Sequence, residues 1–191
     1  MGKLVVTEFI SLDGVIDDPG GAEQYRHGGW TFKFDQGEDG GKLKLGELMA
    51  ADAQLLGRVT YDGFAKAWPT MEGTGEFGEK MNTMPKYVVT STLDKLEWPG
   101  SEPVKGDVAA EVRKLKAMPS RDMLLAGSGL LFNAMMEENL IDVYRFMIHP
   151  VLLGKGKRLF AHGFDQANLE LTDVKRFATG IVVLELVPAT K

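Results

Sequence analysis

Two stretches constrain the fold of this chain more than any others. Leu55-Leu56-Gly57-Arg58-Val59-Thr60-Tyr61 and Leu124-Leu125-Ala126-Gly127-Ser128-Gly129-Leu130-Leu131 each run a short apolar strand straight into a helix through glycine. Strands that alternate with helices are joined by crossovers, which makes the sheet parallel and lays helices on both of its faces. The same rhythm continues along the chain. Apolar runs predict strands over 3–10, 53–57, 86–91, 122–126 and 141–148. Helical spacing predicts helices over about 43–51, 58–68, 107–118 and 130–138. Two further strands, over 169–177 and 180–187, meet at Ala178-Thr179-Gly180 and read as an antiparallel hairpin added at one edge. The expected fold class is therefore α/β, a three-layer α/β/α arrangement around a mostly parallel mixed sheet. Residues 14–41 and 73–78 are rich in glycine and read as loops, the first long enough to suggest a functional role.

Composition narrows the chemistry. A chain of 191 residues buries roughly 70% of its unfolded surface as one domain, so a single domain over 1–191 is expected, with no linker to divide it. With no cysteine there is no disulfide, thiolate zinc site, iron–sulfur cluster or cysteine nucleophile. His27, His149 and His162 lack metal-ligand spacing, and no metal is expected. A formal charge of −5 without a Lys/Arg tract argues against a nucleic-acid partner. No apolar run approaches the ~20 residues of a membrane span, and the N-terminal apolar run turns polar at Thr7-Glu8. The expectation is a soluble, cytoplasmic protein acting on a small molecule.

Four clusters fall at the carboxyl ends of the predicted strands, the rim where open α/β sheets bind ligands. Gly127-Ser128-Gly129 lets a backbone approach a ligand closely, and the N–H groups of the following helix attract an anion. It is not the dinucleotide fingerprint, because Phe132 stands where the third glycine belongs. A plain tight turn is the alternative. Arg58 and Thr60 open a helix, where a cation opposes the helix dipole; an anionic ligand, or a nearby carboxylate, would compensate. Thr90-Ser91-Thr92 sets hydroxyls just beyond a strand. Asp13, in Ser11-Leu12-Asp13-Gly14, is a candidate proton donor or a turn-forming aspartate.

The order of these motifs resembles the dihydrofolate-reductase-like superfamily. The residues concerned are Ser-Leu-Asp-Gly at 11–14, Leu-Gly-Arg-x-Thr-Tyr at 56–61, Val-Val-Thr-Ser at 88–91, Ala-Gly-Ser-Gly at 126–129 and His-Pro-Val-Leu-Leu-Gly-Lys-Gly at 149–156. The closest branch is the C-terminal reductase domain of the bifunctional riboflavin-biosynthesis deaminase–reductase. The resemblance implies a sheet of about eight or nine strands and NADPH as hydride donor. It places Arg58 and Thr60 at cofactor phosphates, Thr90 and Ser91 beside the adenosine 2′-phosphate, and Gly127, Ser128 and Gly129 over the pyrophosphate. Phe9, Ser11 and Asp13 match the nicotinamide region. The substrate is expected against Phe9, Ser11 and Trp30, with Trp68 a further candidate, and the proton is expected from Asp13 or a bound water. The implied reaction is the pyrimidine reduction of riboflavin synthesis; dihydrofolate or pterin reduction and NADPH binding without catalysis are the alternatives. Relatives form homodimers, and the apolar strand at 181–186 offers a face for one. Two departures stand out. The deaminase zinc site is excluded by the lack of cysteine. The carboxylate of a true folate reductase has no clean counterpart in the glycine-rich stretch 34–41, where Asp35, Glu38 and Asp39 are the candidates.

Overall fold

A computed structural model describes residues 1–118, 122–160 and 166–189. The chain runs β1 (Leu4–Ser11), α1 (Gly37–Ala50), β2 (Ala53–Gly57), α2 (Arg58–Ala67), α3 (Gly75–Thr83), β3 (Lys86–Val89), β4 (Ser101–Val104) and α4 (Val108–Ala117). It continues through β5 (Met123–Ala126), α5 (Gly129–Glu137), β6 (Val143–His149), β7 (Leu169–Arg176) and β8 (Val182–Pro188). The strands form one eight-stranded sheet in the order β4-β3-β2-β5-β1-β6-β8-β7. All pairings from β4 to β6 are parallel, and β6-β8 and β8-β7 are antiparallel. The parallel sheet, the helical layers and the C-terminal hairpin match the expectation. Among the described residues no helix is long and apolar enough to cross a membrane.

Neighbouring residues on the inner strands are both buried, because each face of the sheet carries a layer of helices. On one face Leu4, Val6, Leu55 and Leu125 pack with Leu115 of α4 and Phe132 and Met135 of α5. On the other, Leu56, Val88 and Leu124 pack with Leu48 of α1, Tyr61 of α2 and Met81 of α3. Such a residue buried from water contributes about 1.5–3 kcal/mol. β5 lies between β2 and β1 although it follows both in the chain, so the connections diverge there. That divergence opens a crevice at the carboxyl ends of β2, β5 and β1.

Three elements differ from expectation. Helix α1 begins at Gly37, ahead of the predicted start, although Gly-Glu-Asp-Gly-Gly is a weak helix former. Packing explains it: Gly40 is buried, and a Cβ there would meet the Gln36 side chain at 2.5 Å and Phe177 at 3.4 Å. Glu38 and Asp39 also complement the dipole of the first turn. The segment read as a glycine loop contains α3. Strand β4 is an addition to the expected strands; it holds Pro103, which a sheet tolerates at an edge, where β4 lies.

Lys86 is fully buried in β3. Its ammonium donates to the carbonyls of Met84 at 2.8 Å, Pro99 at 3.0 Å and Asn82 at 3.2 Å, and stands 4.3 Å from the centre of the Trp98 ring. It thereby ties off the chain after α3. Burial pushes its pKa down to about 8.

Candidate functional site

The two glycine turns meet in the crevice. Ser128 sits at a left-handed φ of 64°, directly after Gly127 at 65°, and this sharp reversal starts α5. The reversal carries the Ser128 hydroxyl across to the end of β2. There Ser128 Oγ accepts the Gly57 backbone N–H at 2.9 Å and donates to Thr60 Oγ1 at 2.7 Å. The packing leaves no room for larger residues: a Cβ on Gly57 would come 2.9 Å from Ser128 Oγ, and one on Gly127 3.1 Å from Thr60 Oγ1. Gly129 is closed by Ile16, whose Cδ1 lies 2.7 Å from where its Cβ would be.

This arrangement divides labour among the expected residues. The Ser128 hydroxyl is engaged within the protein and braces the two turns. Thr60 Oγ1 accepts the hydrogen bond from Ser128 and so keeps its own O–H for an outside acceptor. The first N–H groups of α5 have no partner within the helix. The crevice thus presents a hydroxyl and a set of backbone donors, which suits a phosphate or pyrophosphate oxygen.

A cavity of about 300 Å³ lies next to this corner, lined among others by Arg58, Thr90, Ser91, Lys105 and Gly106. Thr90 is buried, and its hydroxyl accepts the backbone N–H groups of Thr92 and Leu93, both at 3.2 Å. It shapes the loop, while Ser91 is exposed on it. Arg58 pairs with Asp62 at 2.6 Å, and both remain about half exposed. Arg58 therefore both pairs with a carboxylate and faces the cavity. Lys105, an unanticipated cation, also lines this cavity and pairs with Asp94.

At the end of β1 the roles change. Asp13 accepts from Ser11 Oγ at 2.7 Å, Leu153 N at 3.1 Å and Gly154 N at 2.8 Å, and Arg158 lies 3.6 Å away. The Ser11 hydroxyl, with these backbone N–H groups, holds its pKa down to about 2. Such a carboxylate has no proton to give near neutrality. The expectation of Asp13 as proton donor is revised to a clamp that fastens the 153–158 loop. Ser11, buried, also accepts the Val15 N–H at 2.8 Å and belongs to the same clamp. Trp30 is fully buried and its indole N–H donates to the Asp17 carbonyl at 2.9 Å, so it backs the site rather than facing a substrate.

Phe9 is half-buried and central to a second cluster. His149, fully buried at the end of β6, has ring contacts with Phe9, Trp30 and Phe34 at 5.1–5.7 Å between centroids. Burial pushes the His149 pKa down, and its Nε2 has no hydrogen-bond partner. Lys44 of α1 stands 4.8 Å over the Phe9 ring and donates to Thr7 Oγ1 at 2.7 Å and Glu47 Oε2 at 2.8 Å. Asp35, Glu38 and Asp39 are exposed, and the buried carboxylate of α1 is Glu47. Among the described residues no group of three or more His, Cys, Asp or Glu could hold a metal, and His162 lies outside them.

Glu8, buried in β1 beside the glycine turn, was also missed. Its signal was present: a carboxylate inside Val5-Val6-Thr7-Glu8-Phe9-Ile10, a run otherwise fit for a buried strand. Burial raises its pKa to about 8, against the opposing pull of Lys44 and the Gly127 N–H.

Known proteins share this architecture. A candidate riboflavin biosynthesis protein from Shewanella sp. PV-4 superposes with a TM-score of 0.77 at 20% identity, covering 98% of this chain and 99% of that one. RibD of Acinetobacter baumannii gives 0.65 at 16% identity, with all of this chain covering 59% of that longer protein. In sequence, the uncharacterised YyaP of Bacillus subtilis strain 168 is 30% identical over 183 residues, covering 94% of this chain and 92% of YyaP. The family described as RibD C-terminal domain matches residues 2–183. With that match spanning nearly its whole length, the chain belongs to the RibD C-terminal domain family.

Proposed function

We propose that the protein is an NADPH-dependent reductase of a C=N or carbonyl group in a small heterocycle. One precedent is a longer Thermotoga maritima protein named as a diaminohydroxyphosphoribosylaminopyrimidine deaminase/5-amino-6-(5-phosphoribosylamino)uracil reductase, which superposes with a TM-score of 0.65 at 18% identity, 98% of this chain covering 57% of that one. The observation that carries the reading is the relay from Gly57 N–H through Ser128 to Thr60, which leaves an anion-binding corner beside a cavity bearing Arg58 and Lys105. The α5 N–H groups and the Thr60 hydroxyl would hold a pyrophosphate. Arg58, Ser91 and Lys105 would hold the adenosine 2′-phosphate, with Thr90 shaping their loop. Phe9 would face the nicotinamide and substrate, with Lys44 as the nearby cation. NADPH, when bound, supplies the hydride; the protein supplies orientation and charge.

The 2′-phosphate distinguishes NADPH from NADH, and each charge-assisted contact to it is worth about 1.5–3 kcal/mol. Arg58→Ala and Lys105→Ala are each expected to reduce the NADPH-over-NADH preference by roughly ten- to a hundredfold. Calorimetric affinities for the two nucleotides check this; unchanged ratios in both variants contradict the placement. Pterin reduction is disfavoured because Asp35, Glu38 and Asp39 are exposed and Glu47 is already paired with Lys44. NADPH binding with no turnover of any pyrimidine would identify a binding module instead.

We also propose a homodimer through the C-terminal hairpin. Leu171 and Val174 of the edge strand β7 are 53% and 55% exposed and continue the apolar face of Leu184 and Leu186 on β8. A double substitution Leu171→Lys and Val174→Lys is expected to halve the mass seen by light scattering. A wild-type monomer contradicts this interface.

A further inference from the structure

The glycine turn rests on a feature that the proposed cofactor site does not use. Strand β1 pairs with β5 through Thr7 and Ala126, so the next residue, Glu8, lies alongside Gly127. Glu8 is 4% exposed and its Oε1 has no hydrogen-bond partner. A second unpartnered acceptor serves the other end of the turn. Asn133 of α5 uses its amide N–H groups to hold the Gly129 carbonyl at 2.7 Å and the Leu159 carbonyl at 2.9 Å, and its Oδ1 is left unpaired. Both donor bonds fix the orientation of that amide. A buried acceptor without a donor costs about 1–3 kcal/mol, and a proton on Glu8 turns one of the two acceptors into a donor.

The groups around Glu8 favour the neutral form. Phe146 lies opposite it on β6, and Tyr144 is the titratable residue on that face of β6. β5 contributes no titratable group, and α5 contributes the neutral Asn133. Among the described residues Lys44, from α1 on the opposite face of the sheet, is the one cation acting on Glu8, and it is already paired with Glu47. Asp13 and Arg158 compensate each other in the clamp, and His149, on the opposite face from Glu8, is held neutral by burial.

We propose that Glu8 is a positioning residue for the anion corner, acting through the Gly127 backbone: protonated, it leaves the turn free for a pyrophosphate, and ionised, it competes for the N–H donors and repels the anion. The inference rests on the NADPH reading above. Its consequence is a pH dependence of affinity that originates in the protein. Burial places the Glu8 pKa near 8, so NADPH affinity falls as pH rises through that value.

The test is titration calorimetry of NADPH binding at about pH 6.5, 7.5, 8.5 and 9.5, in buffers of differing ionisation enthalpy, for wild type and Glu8→Gln. Wild type is expected to bind about tenfold more weakly at the alkaline end and to take up part of a proton per NADPH bound near pH 8. Glu8→Gln is expected to bind with little pH dependence and no such uptake. A merely structural glutamate would not move the proton count, and the wild-type count needs no variant to be read. Absence of proton uptake near pH 8, or a slope unchanged by Glu8→Gln, overturns the role of Glu8 and leaves the NADPH reading standing. No NADPH binding by wild type even at about pH 6.5 overturns both.

Discussion

Folding stability is expected to pass through a minimum near pH 8, and two single substitutions are expected to remove its two sides. Glu8 titrates near 8 in the folded protein and at its ordinary value of 4.5 when unfolded. Between these values the unfolded chain has released a proton that the folded protein retains, so stability falls by about 1.4 kcal/mol for each pH unit. His149 runs the other way. Its folded pKa is depressed below 6.5, so the unfolded chain gains a proton below that pH and stability falls towards acid. From pH 6.5 to 8 the Glu8 slope outweighs the opposing tails of His149 and Lys86, a net loss of about 1 kcal/mol. Above 8 the depressed Lys86 takes over: from about 8 to 10.5 the unfolded chain holds the extra proton, and stability rises with pH. Glu8→Gln is expected to flatten the acid side of the minimum and Lys86→Met the alkaline side, while Lys86→Met also lowers stability overall by leaving three carbonyls without their donor. Urea unfolding across this range checks both. A wild-type curve flat from pH 6.5 to 8 rules out a protonated Glu8.

The second large effect concerns the corner itself. Gly127→Ala puts a side chain at a φ of 65°, costing about 1–2 kcal/mol, and drives its Cβ to 3.1 Å from Thr60 Oγ1 and 3.2 Å from Thr60 Cγ2. Thr60 must give by a few tenths of an ångström, which strains its bond from Ser128. The expected result is a loss of NADPH affinity of about a hundredfold, larger than the loss in thermal stability would suggest. Gly63→Ala is the matched control, because that glycine lies within α2 and nothing stands within 4 Å of its would-be Cβ. It is expected to bind NADPH as wild type does and to gain up to about 1 kcal/mol of stability. Equal binding by both alanine variants contradicts the turn as the anion corner.

Much of this architecture was legible because strands buried on both faces are written as continuous apolar runs. Leu55-Leu56 and Leu124-Leu125 announced β2 and β5, and the glycines after them announced where each turn begins. What could not be read was anything set by tertiary contact. The start of α1 depends on Gly40 fitting between Gln36 and Phe177, and β4 depends on lying at an edge that tolerates Pro103. The site divides in the same way. Positions 57–60 and 127–129 stood out locally, but the bond from Ser128 to Thr60 joins residues 68 apart and makes one of them a brace. Asp13 looked reactive as a lone carboxylate beside glycine; the loop at 153–158, distant in sequence, converts it to a clamp. Glu8 was passed over because a charge in a strand ordinarily marks a solvated face, and only the burial of that face of β1 beneath the helices shows that it has none.

The most direct measurement is titration of the wild-type protein with NADPH and, separately, NADH near pH 6.5, followed by calorimetry and by quenching of Trp98 and the other tryptophans. Micromolar NADPH affinity with NADH at least tenfold weaker is the expected result. Binding of neither nucleotide, or equal binding of both, would contradict the assignment of the corner at Gly57, Thr60 and Gly127 and of the adjoining cavity at Arg58 and Lys105.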